Sequence, residues 1–329
     1  MKEVRRFAAS SQGAPQSTPK GILMRCSHLA IPLAVAGLTL AACGSSSSSS
    51  SSSTGGGGGS SSTATSSTPT VSCPGGTLTA SGSTALQPLV QKAATEYQTK
   101  CAGSTVTVSG GGSSTGLSNV AAGTSDIGDS DVPISQAKSI DPTTVTDHQV
   151  AGVIFGIVVN PKTTVTALTT QQVRDIFTGK VTNWKDVGGA DLPVTLIERK
   201  PGSGSRLTFD IDIMGGTAES ASPASTQDST SLVVSGVQAA DGGVSYVNVA
   251  SKGTLTAVTV DGASPNATDV AAGKYVIFSH EHMYTKGAGS AIAQDFINFI
   301  LTDPFQSEAG ALGFIPVAQA TKQSAADAS

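Results

Sequence analysis

The sequence predicts an α/β protein whose globular part forms two lobes around a ligand cleft. From Cys73 onward, short β-branched runs alternate with segments of helical spacing, a pattern typical of α/β folds. Two long strand-like runs, Val150–Val159 and Tyr275–Tyr284, are candidates for crossings between the lobes. Because ligands of open α/β sheets bind beyond the strand ends, turns that are distant in sequence are expected to meet in the cleft.

The first 72 residues are predicted to precede the globular part. Arg25 precedes a short apolar run that closes on Leu40-Ala41-Ala42-Cys43, a pattern similar to the lipobox of bacterial lipoproteins. Residues 1–43 are therefore predicted to be a lipoprotein signal peptide, with Cys43 lipidated and Met24 as an alternative start. An ordinary secretory signal with an incidental cysteine is the other interpretation. Residues 44–72, nearly all Ser, Gly and Thr, are expected to form a flexible tether.

Helical spacing identifies three elements of the globular part. The first helix is predicted from Thr84 to about Thr99, and Pro88 is tolerated because it lies in the first turn. A capping-box pattern at 169–172 opens another helix, for which Gly179 is the stop signal, and a last clear helix ends before Pro304. The residues predicted to face inward are Leu86, Leu89, Val90, Ala93 and Tyr97, then Val173, Ile176 and Phe177, and finally Ile292, Phe296, Phe299 and Ile300.

Three Gly/Ser-rich turns are predicted to open helices after short strands. They are Ser81–Ala85, Gly110–Gly116 and Gly202–Arg206, and each follows a β-like run. A helix start presents unpaired N–H groups and partial positive charge, so it attracts anions. For any single turn, chance occurrence in a Ser/Gly-rich chain is the alternative. Together the turns predict one small oxyanion site, whose side-chain donors are Arg199 and the hydroxyls of Ser83, Thr84, Ser113, Ser203 and Ser205.

Asp131, in the run Asp126–Pro133, indicates which anion the site selects. A carboxylate suits an anion site only when the anion carries a proton. Phosphate retains at least one proton near neutral pH, whereas sulfate has none and would meet an unpaired like charge. Asp131 therefore favours phosphate, and a simple turn cap before Pro133 is the alternative role for this residue.

Charge and cysteine content narrow the range of partners. Residues 1–43 carry five basic residues and one acidic residue, so without them the formal net charge changes from −4 to −8, which argues against nucleic acid as a partner.

Cys73 and Cys101 are predicted to form one disulfide, as an even pair in an exported protein most simply does. No metal site is predicted, because neither cysteine has a further ligand at suitable spacing, and His280 and His282 are more typical of a solvated strand face.

A serine hydrolase is the least favoured alternative. Gly112-Ser113-Ser114-Thr115-Gly116 matches the nucleophile elbow, and His280 would complete a triad in the right chain order. However, three adjacent glycines before the serine are atypical of an elbow. No P-loop run occurs, so nucleotide hydrolysis has no support.

Over residues 76–320 the motifs resemble, in order and spacing, the PstS family of phosphate-binding proteins of ABC transporters. The resemblance rests on Gly82-Ser83-Thr84, Gly112-Ser113-Ser114, Asp126–Asp131, Gly156–Pro161, Ile176–Trp184, Arg199 with Gly202–Arg206, Gly243–Val247, Tyr284–Gly287 and Gly313–Pro316. It implies a type II periplasmic-binding-protein ("Venus flytrap") fold with mixed sheets. Residues 73–155 and 279–322 would form lobe 1, and residues 156–278 would form lobe 2.

The resemblance also implies a set of ligand contacts and partners. Thr84, the Ala85 N–H and Ser113 would donate to phosphate from lobe 1, where Asp131 would accept the phosphate proton. Arg199, Ser203, the Gly204 N–H and Ser205 would donate from lobe 2. The implied protein is a non-enzymatic monomer without a cofactor, anchored to the outer face of the cell membrane or in the periplasm. It would deliver phosphate to permease subunits; another oxyanion, such as sulfate, molybdate or an organophosphate, is the alternative ligand.

Two departures from the family pattern concern the second lobe and the last long strand. Pro201 stands where relatives often carry an acidic residue that orients the arginine, so the positioning of Arg199 is open. Ser279-His280-Glu281-His282 replaces a stretch often written with Arg-Pro, and the sequence alone offers no physical account of this change.

Overall fold

The computed structural model describes residues 69–220 and 222–328, which fold around one mixed, curled sheet. Its strands, with a separate short pair (β5 and β10), are β1 Gly76–Gly82, β2 Ser104–Ser109, β3 Ile127–Ser130, β4 Val145–Val159, β5 Ala167–Leu168, β6 Thr195–Arg199, β7 Ser225–Gln227, β8 Gly243–Asn248, β9 Thr256–Ala257, β10 Thr259–Val260, β11 Phe278–Lys286 and β12 Ile315–Pro316.

Helices cover the sheet and connect its strands. They are α1 Gln87–Lys100, α2 Ser113–Ala122, α3 Thr170–Phe177, α4 Gly204–Phe209, α5 Thr230–Ala239, α6 Ala267–Ala271, α7 Ala291–Ile300, α8 Asp303–Ala311 and α9 Ala325–Ala328. A π-helical turn, Asp210–Met214, continues α4. Within the described ranges, none of the helices is both long and apolar enough to cross a membrane.

The strand order, β2-β1-β3-β11-β4-β8-β6-β7, joins two groups of strands through β4. The first group consists of β2, β1, β3 and β11, and the second of β8, β6 and β7. The first residues of β4 pair with β11, and Phe155–Val159 pair with β8 in the second group. Both neighbours of β4 are antiparallel to it, whereas β1 is parallel to β2 and β3, and β6 is parallel to β7 and β8. The predicted α/β class with mixed strands is confirmed.

The long runs that were expected to cross between lobes are strands β4 and β11. Strand β4 is longer than predicted and begins at Val145. Residues 146–149 are exposed or partly buried and form no continuous apolar pattern, so the sequence did not indicate this part of the strand. Strand β11 begins at Phe278 rather than Tyr275. The lobe boundaries at 155/156 and 278/279 stay predictions.

The helices confirm the predicted inward faces. All five residues predicted to face inward from the first helix are buried, although α1 begins three residues later than predicted. A capped turn precedes α1, in which the Ser83 hydroxyl accepts hydrogen bonds from the N–H groups of Ala85 and Leu86, both at 3.0 Å. Helix α3 has the predicted capping box, and α7 buries its apolar stripe against the same core.

The chain joins the core slightly before Cys73. Val71 packs against the core, and the Ser72 N–H donates to the Asp295 carboxylate at 2.6 Å. The tether therefore ends before residue 71 rather than at 72; its first part, residues 44–68, lies outside the described residues, as do the signal peptide and Cys43. A disulfide joins Cys73 to Cys101 and so links the start of the globular part to the residue that follows α1.

Candidate functional site

The three Gly/Ser-rich turns meet where the two strand groups face each other. Helix α2 begins after Gly112, and α4 begins after Ser203, whose hydroxyl accepts from the Arg206 N–H at 3.3 Å. The first turn packs closely beneath them. A Cβ on Gly82, whose φ is +140°, would lie 2.1 Å from the Asp129 carbonyl oxygen, so only glycine allows this approach.

Asp131 lies at the centre of these turns and is fully buried. Its carboxylate accepts hydrogen bonds from the hydroxyl of Ser83 and, at 3.0 Å, from the hydroxyl of Ser205 in the second group. Its N–H donates to the Ser113 hydroxyl oxygen at 3.0 Å. Asp131 is therefore bound by both groups at once, which excludes the role of a simple turn cap.

Arg199 is buried at the end of β6 and donates to neutral oxygens. One nitrogen donates to the Ser205 hydroxyl at 3.3 Å, and the other donates to Thr84 Oγ1 at 3.1 Å and to the Asp228 carbonyl at 3.4 Å. Burial lowers its pKa, whereas the Asp131 charge raises it. These contacts position Arg199 without the acidic neighbour that Pro201 replaces, so the open question about its orientation is answered.

Further contacts close the two groups on each other. The Ser114 N–H donates to the Gly202 carbonyl at 3.1 Å, and the Asn248 side chain donates to the Ala85 carbonyl at 3.0 Å. Gly204 lies against Ser113 and Asp131, so closely that a Cβ on it would overlap both. All eight residues predicted to contact the anion are thus assembled in one buried place: Thr84, Ala85, Ser113, Asp131, Arg199, Ser203, Gly204 and Ser205.

Two grooves flank this assembly. One, of about 230 Å³, is lined by residues of α2 and of the turn before α4, including Ser113, Ser203 and Gly204. The other, of about 500 Å³, is lined by the first turns of α1 and α5 and reaches Thr84. The assembly is therefore approached from two sides of the junction between the strand groups.

Arg206, the second arginine of the third turn, belongs to a separate ion-pair cluster. It donates to the Arg199 carbonyl at 2.6 Å and pairs with Glu219 at 2.8 Å, and Glu198 and Asp210 lie at 3.5 and 3.6 Å. Burial raises the pKa of Glu219 to about 8, although Arg206 opposes this shift. Arg206 therefore supports the backbone of Arg199 rather than facing the ligand.

Sequence reasoning missed two buried carboxyl groups beside Asp131. Asp129, on β3, and Glu281, on β11, are fully buried, and burial raises both pKa values well above the ordinary range. The Glu281 carboxyl is a neighbour of the Asp131 carboxyl, and neither Glu281 oxygen has a hydrogen-bond donor among the described residues. The acidic run 126–131 signalled Asp129, but only the strand pairing of β3 with β11 brings Glu281 to this position.

His280 and His282 contact residues that lie away from Ser113 and Ser114. His280 contacts Asp327 and the Ala320 carbonyl, and His282 contacts Asp147 at 2.9 Å. Both histidines are buried, so the expectation of a solvated strand face is wrong; the last helix, α9, covers them with Asp327. Because His280 faces this carboxylate, it is not placed to activate a serine of the turn before α2.

Comparison with known proteins decides the family. A family model described as a PBP superfamily domain matches residues 48–304. The phosphate-binding protein PstS of Bacillus subtilis is 38% identical over 247 residues, which cover 74% of this chain and 81% of that protein. This chain belongs to the PstS family.

Solved structures agree with this assignment. A structure named for a phosphate ABC transporter substrate-binding protein with bound phosphate, from Clostridium perfringens, superposes with a TM-score of 0.66 at 26% identity, covering 74% of this chain and all of that one. An ABC-type phosphate transport receptor from Vibrio cholerae superposes with a TM-score of 0.58 at 25% identity, covering 72% of this chain and 99% of that one. The predicted periplasmic-binding-protein fold of the PstS family is confirmed.

Proposed function

We propose that this protein is a receptor that binds inorganic phosphate outside the cell membrane and delivers it to an ABC-type permease. The observation that carries the proposal is Asp131, a buried carboxylate among hydroxyls, helix starts and one arginine. Such a carboxylate suits an oxyanion only if that oxyanion brings a proton to donate, as phosphate does. The names of the B. subtilis, C. perfringens and V. cholerae relatives support the same ligand.

Each strand group supplies part of the ligand shell in this proposal. Thr84, the Ala85 N–H and Ser113 donate from the first group, and Asp131 accepts the phosphate proton. Arg199, Ser203, the Gly204 N–H and Ser205 donate from the second group. Phosphate would replace the hydrogen bonds that Arg199 donates to Thr84 and to Ser205, while the two strand groups close on it in a hinge motion.

The proposed protein is a monomer without enzymatic activity, cofactor or nucleic-acid partner. It is held at the outer face of the membrane by lipid on Cys43, with residues 44–70 as the tether. Receptors for sulfate, molybdate or an organophosphate remain the alternative within this fold. A serine hydrolase has little support, because the partners of His280 are Asp327 and Ala320.

The test is calorimetry on the purified chain, stripped of phosphate and titrated with phosphate and then with sulfate. We expect binding of phosphate and no response to sulfate. Asp131→Asn removes the acceptor for the phosphate proton and is expected to weaken phosphate binding about tenfold to a hundredfold, with sulfate binding unchanged or improved. Binding of sulfate but not phosphate by the unmodified chain would overturn the assignment.

A further inference from the structure

Glu281 lies beside Asp131 in an arrangement that requires a proton. It stands on β11, where Ser279, two residues earlier, donates to the Asp131 carbonyl oxygen. The Glu281 side chain is fully buried next to the Asp131 carboxyl, and neither of its oxygens has a hydrogen-bond donor among the described residues. Two ionised carboxylates only accept hydrogen bonds, so neighbouring buried carboxyls, one of which has no donor, are stable only if one holds a proton.

The surroundings decide which of the two carboxyls is neutral. Asp131 accepts hydrogen bonds from Ser83 and Ser205 and is stabilised by the charge of Arg199, all of which favour its ionised form. Within the part of the chain that the structure describes, no cation acts on Glu281, and its charged neighbours are Asp131 and Asp129. The flanking histidines, His280 and His282, are paired with Asp327 and Asp147. Burial and these like charges raise the pKa of Glu281 well above its ordinary value.

We propose that Glu281 is a positioning residue of the anion site: it stays protonated and donates a hydrogen bond to Asp131, which keeps Asp131 an ionised acceptor aimed at the ligand. This inference rests on the proposed phosphate site at Asp131. The arrangement is a carboxyl pair that shares one proton, in which the member nearer the arginine keeps the charge. Glu281 thereby contributes to phosphate selection without touching phosphate.

A pH dependence follows from this role. Below the pKa of Glu281 the donor is present and Asp131 accepts from the ligand. As the pH rises through that pKa, Glu281 ionises, a second buried negative charge faces Asp131, and phosphate binding weakens. Free phosphate also titrates near neutral pH, but it does so equally for every variant. The ratio of variant to unmodified dissociation constants at each pH therefore isolates the contribution of the protein.

Two substitutions of Glu281 separate its donor from its charge. Glu281→Gln keeps a donor for Asp131 but cannot ionise, so we expect phosphate binding within about threefold of the unmodified chain at pH 7 and no added weakening at higher pH. Glu281→Leu has a similar volume and no donor. We expect it to weaken phosphate binding by about tenfold or more and to reduce the preference for phosphate over sulfate.

A matched control addresses Glu219, another buried acid whose pKa is raised by burial. Glu219 pairs with Arg206, which in turn donates to the Arg199 carbonyl, so its titration is a rival source of pH dependence. Glu219→Gln is expected to leave the weakening at high pH in place. If Glu219→Gln removes that weakening while Glu281→Gln does not, the proposal is wrong.

A direct measurement of protonation completes the test and does not depend on ligand binding. The full chain is labelled with carboxyl-¹³C glutamate, and the Glu281 signal is assigned by its loss in Glu281→Gln. We expect the chemical shift of a protonated carboxyl at neutral pH; an ionised shift overturns the proposal even if Glu281→Leu fails to fold. Failure of the unmodified chain to bind phosphate would instead overturn the proposed function, whatever this signal shows.

Discussion

Gly204 offers the most direct test that the two strand groups must close tightly for binding. A Cβ at this position would lie 2.4 Å from the Ser113 hydroxyl oxygen and 2.7 Å from Asp131 Cβ. Ordinary contacts of a Cβ begin at 3.4 Å, so Gly204→Ala must move the groups apart by about 1 Å. Gly204 is the first residue of α4 and has no left-handed φ, so alanine suits its backbone and the clash lies across the site.

The magnitude follows from the hydrogen bonds that span the two groups here. The bond from the Ser114 N–H to the Gly202 carbonyl measures 3.1 Å, and in the proposed complex Ser205, beside Gly204 on α4, donates to phosphate across the same gap, so about 1 Å of separation takes both beyond hydrogen-bond length. A bond to a charged acceptor contributes about 1.5–3 kcal/mol and a neutral bond about 0.5–1.5 kcal/mol. Their combined loss, about 3 kcal/mol, corresponds to phosphate binding about a hundredfold weaker.

Calorimetry with phosphate measures this loss, and Gly236→Ala is the control. Gly236 lies inside α5, where a Cβ would meet Ile197 at an ordinary 3.4 Å. The control should bind phosphate like the unmodified chain and gain about 0.5–1 kcal/mol of stability from helix propensity. If Gly204→Ala binds phosphate within threefold of the unmodified chain, closure at this contact does not govern affinity.

Two further predictions concern stability. Replacing Cys73 and Cys101 together by serine removes a cross-link with a sequence separation of 28 and should lower the free energy of unfolding by about 3 kcal/mol, measured by urea denaturation, with phosphate affinity unchanged; an unchanged urea midpoint would contradict this. Burial lowers the pKa of His282, but the carboxylates of Asp147, at 2.9 Å, and of Asp327, at 3.7 Å, raise it overall from 6.5 to about 9. Since the folded value is the higher one, this stabilisation is complete below about pH 6.5 and is lost as the pH rises through about 9, so His282→Gln should flatten the fall in melting temperature over that range. An equal slope in both proteins would exclude His282 as its source.

Much of the site was predictable because its positions depend on local chemistry. A glycine-rich turn between a short strand and a helix fixes where donors point, and the turns before α2 and α4 begin their helices as the sequence indicates. The first turn differs, because α1 starts only at Gln87, after a turn in which the Ser83 hydroxyl accepts from the N–H groups of Ala85 and Leu86. Residue spacing alone does not reveal this turn.

Glu281 was not predictable, because its role depends on pairing between strands distant in sequence. The run Ser279–His282 is entirely polar, which suggests a solvated strand. In the structure both faces are covered: α9 brings Asp327 to the histidines, and Asp131, directly after β3, lies on the other side. Polarity therefore predicted the exposure of this strand wrongly, since Ser279, His280 and His282 have partners from other parts of the chain.

The contacts at the site also indicate where selectivity between oxyanions arises. Arg199 donates to both Thr84 and Ser205, so in the proposed site a tetrahedral anion that enters exchanges these bonds for bonds to itself. That exchange favours phosphate and sulfate alike. Asp131 distinguishes the two anions, because it bonds favourably only to an anion that brings a proton. Under the proposed role of Glu281, which holds the proton that Asp131 lacks, selectivity depends on Asp131 staying ionised.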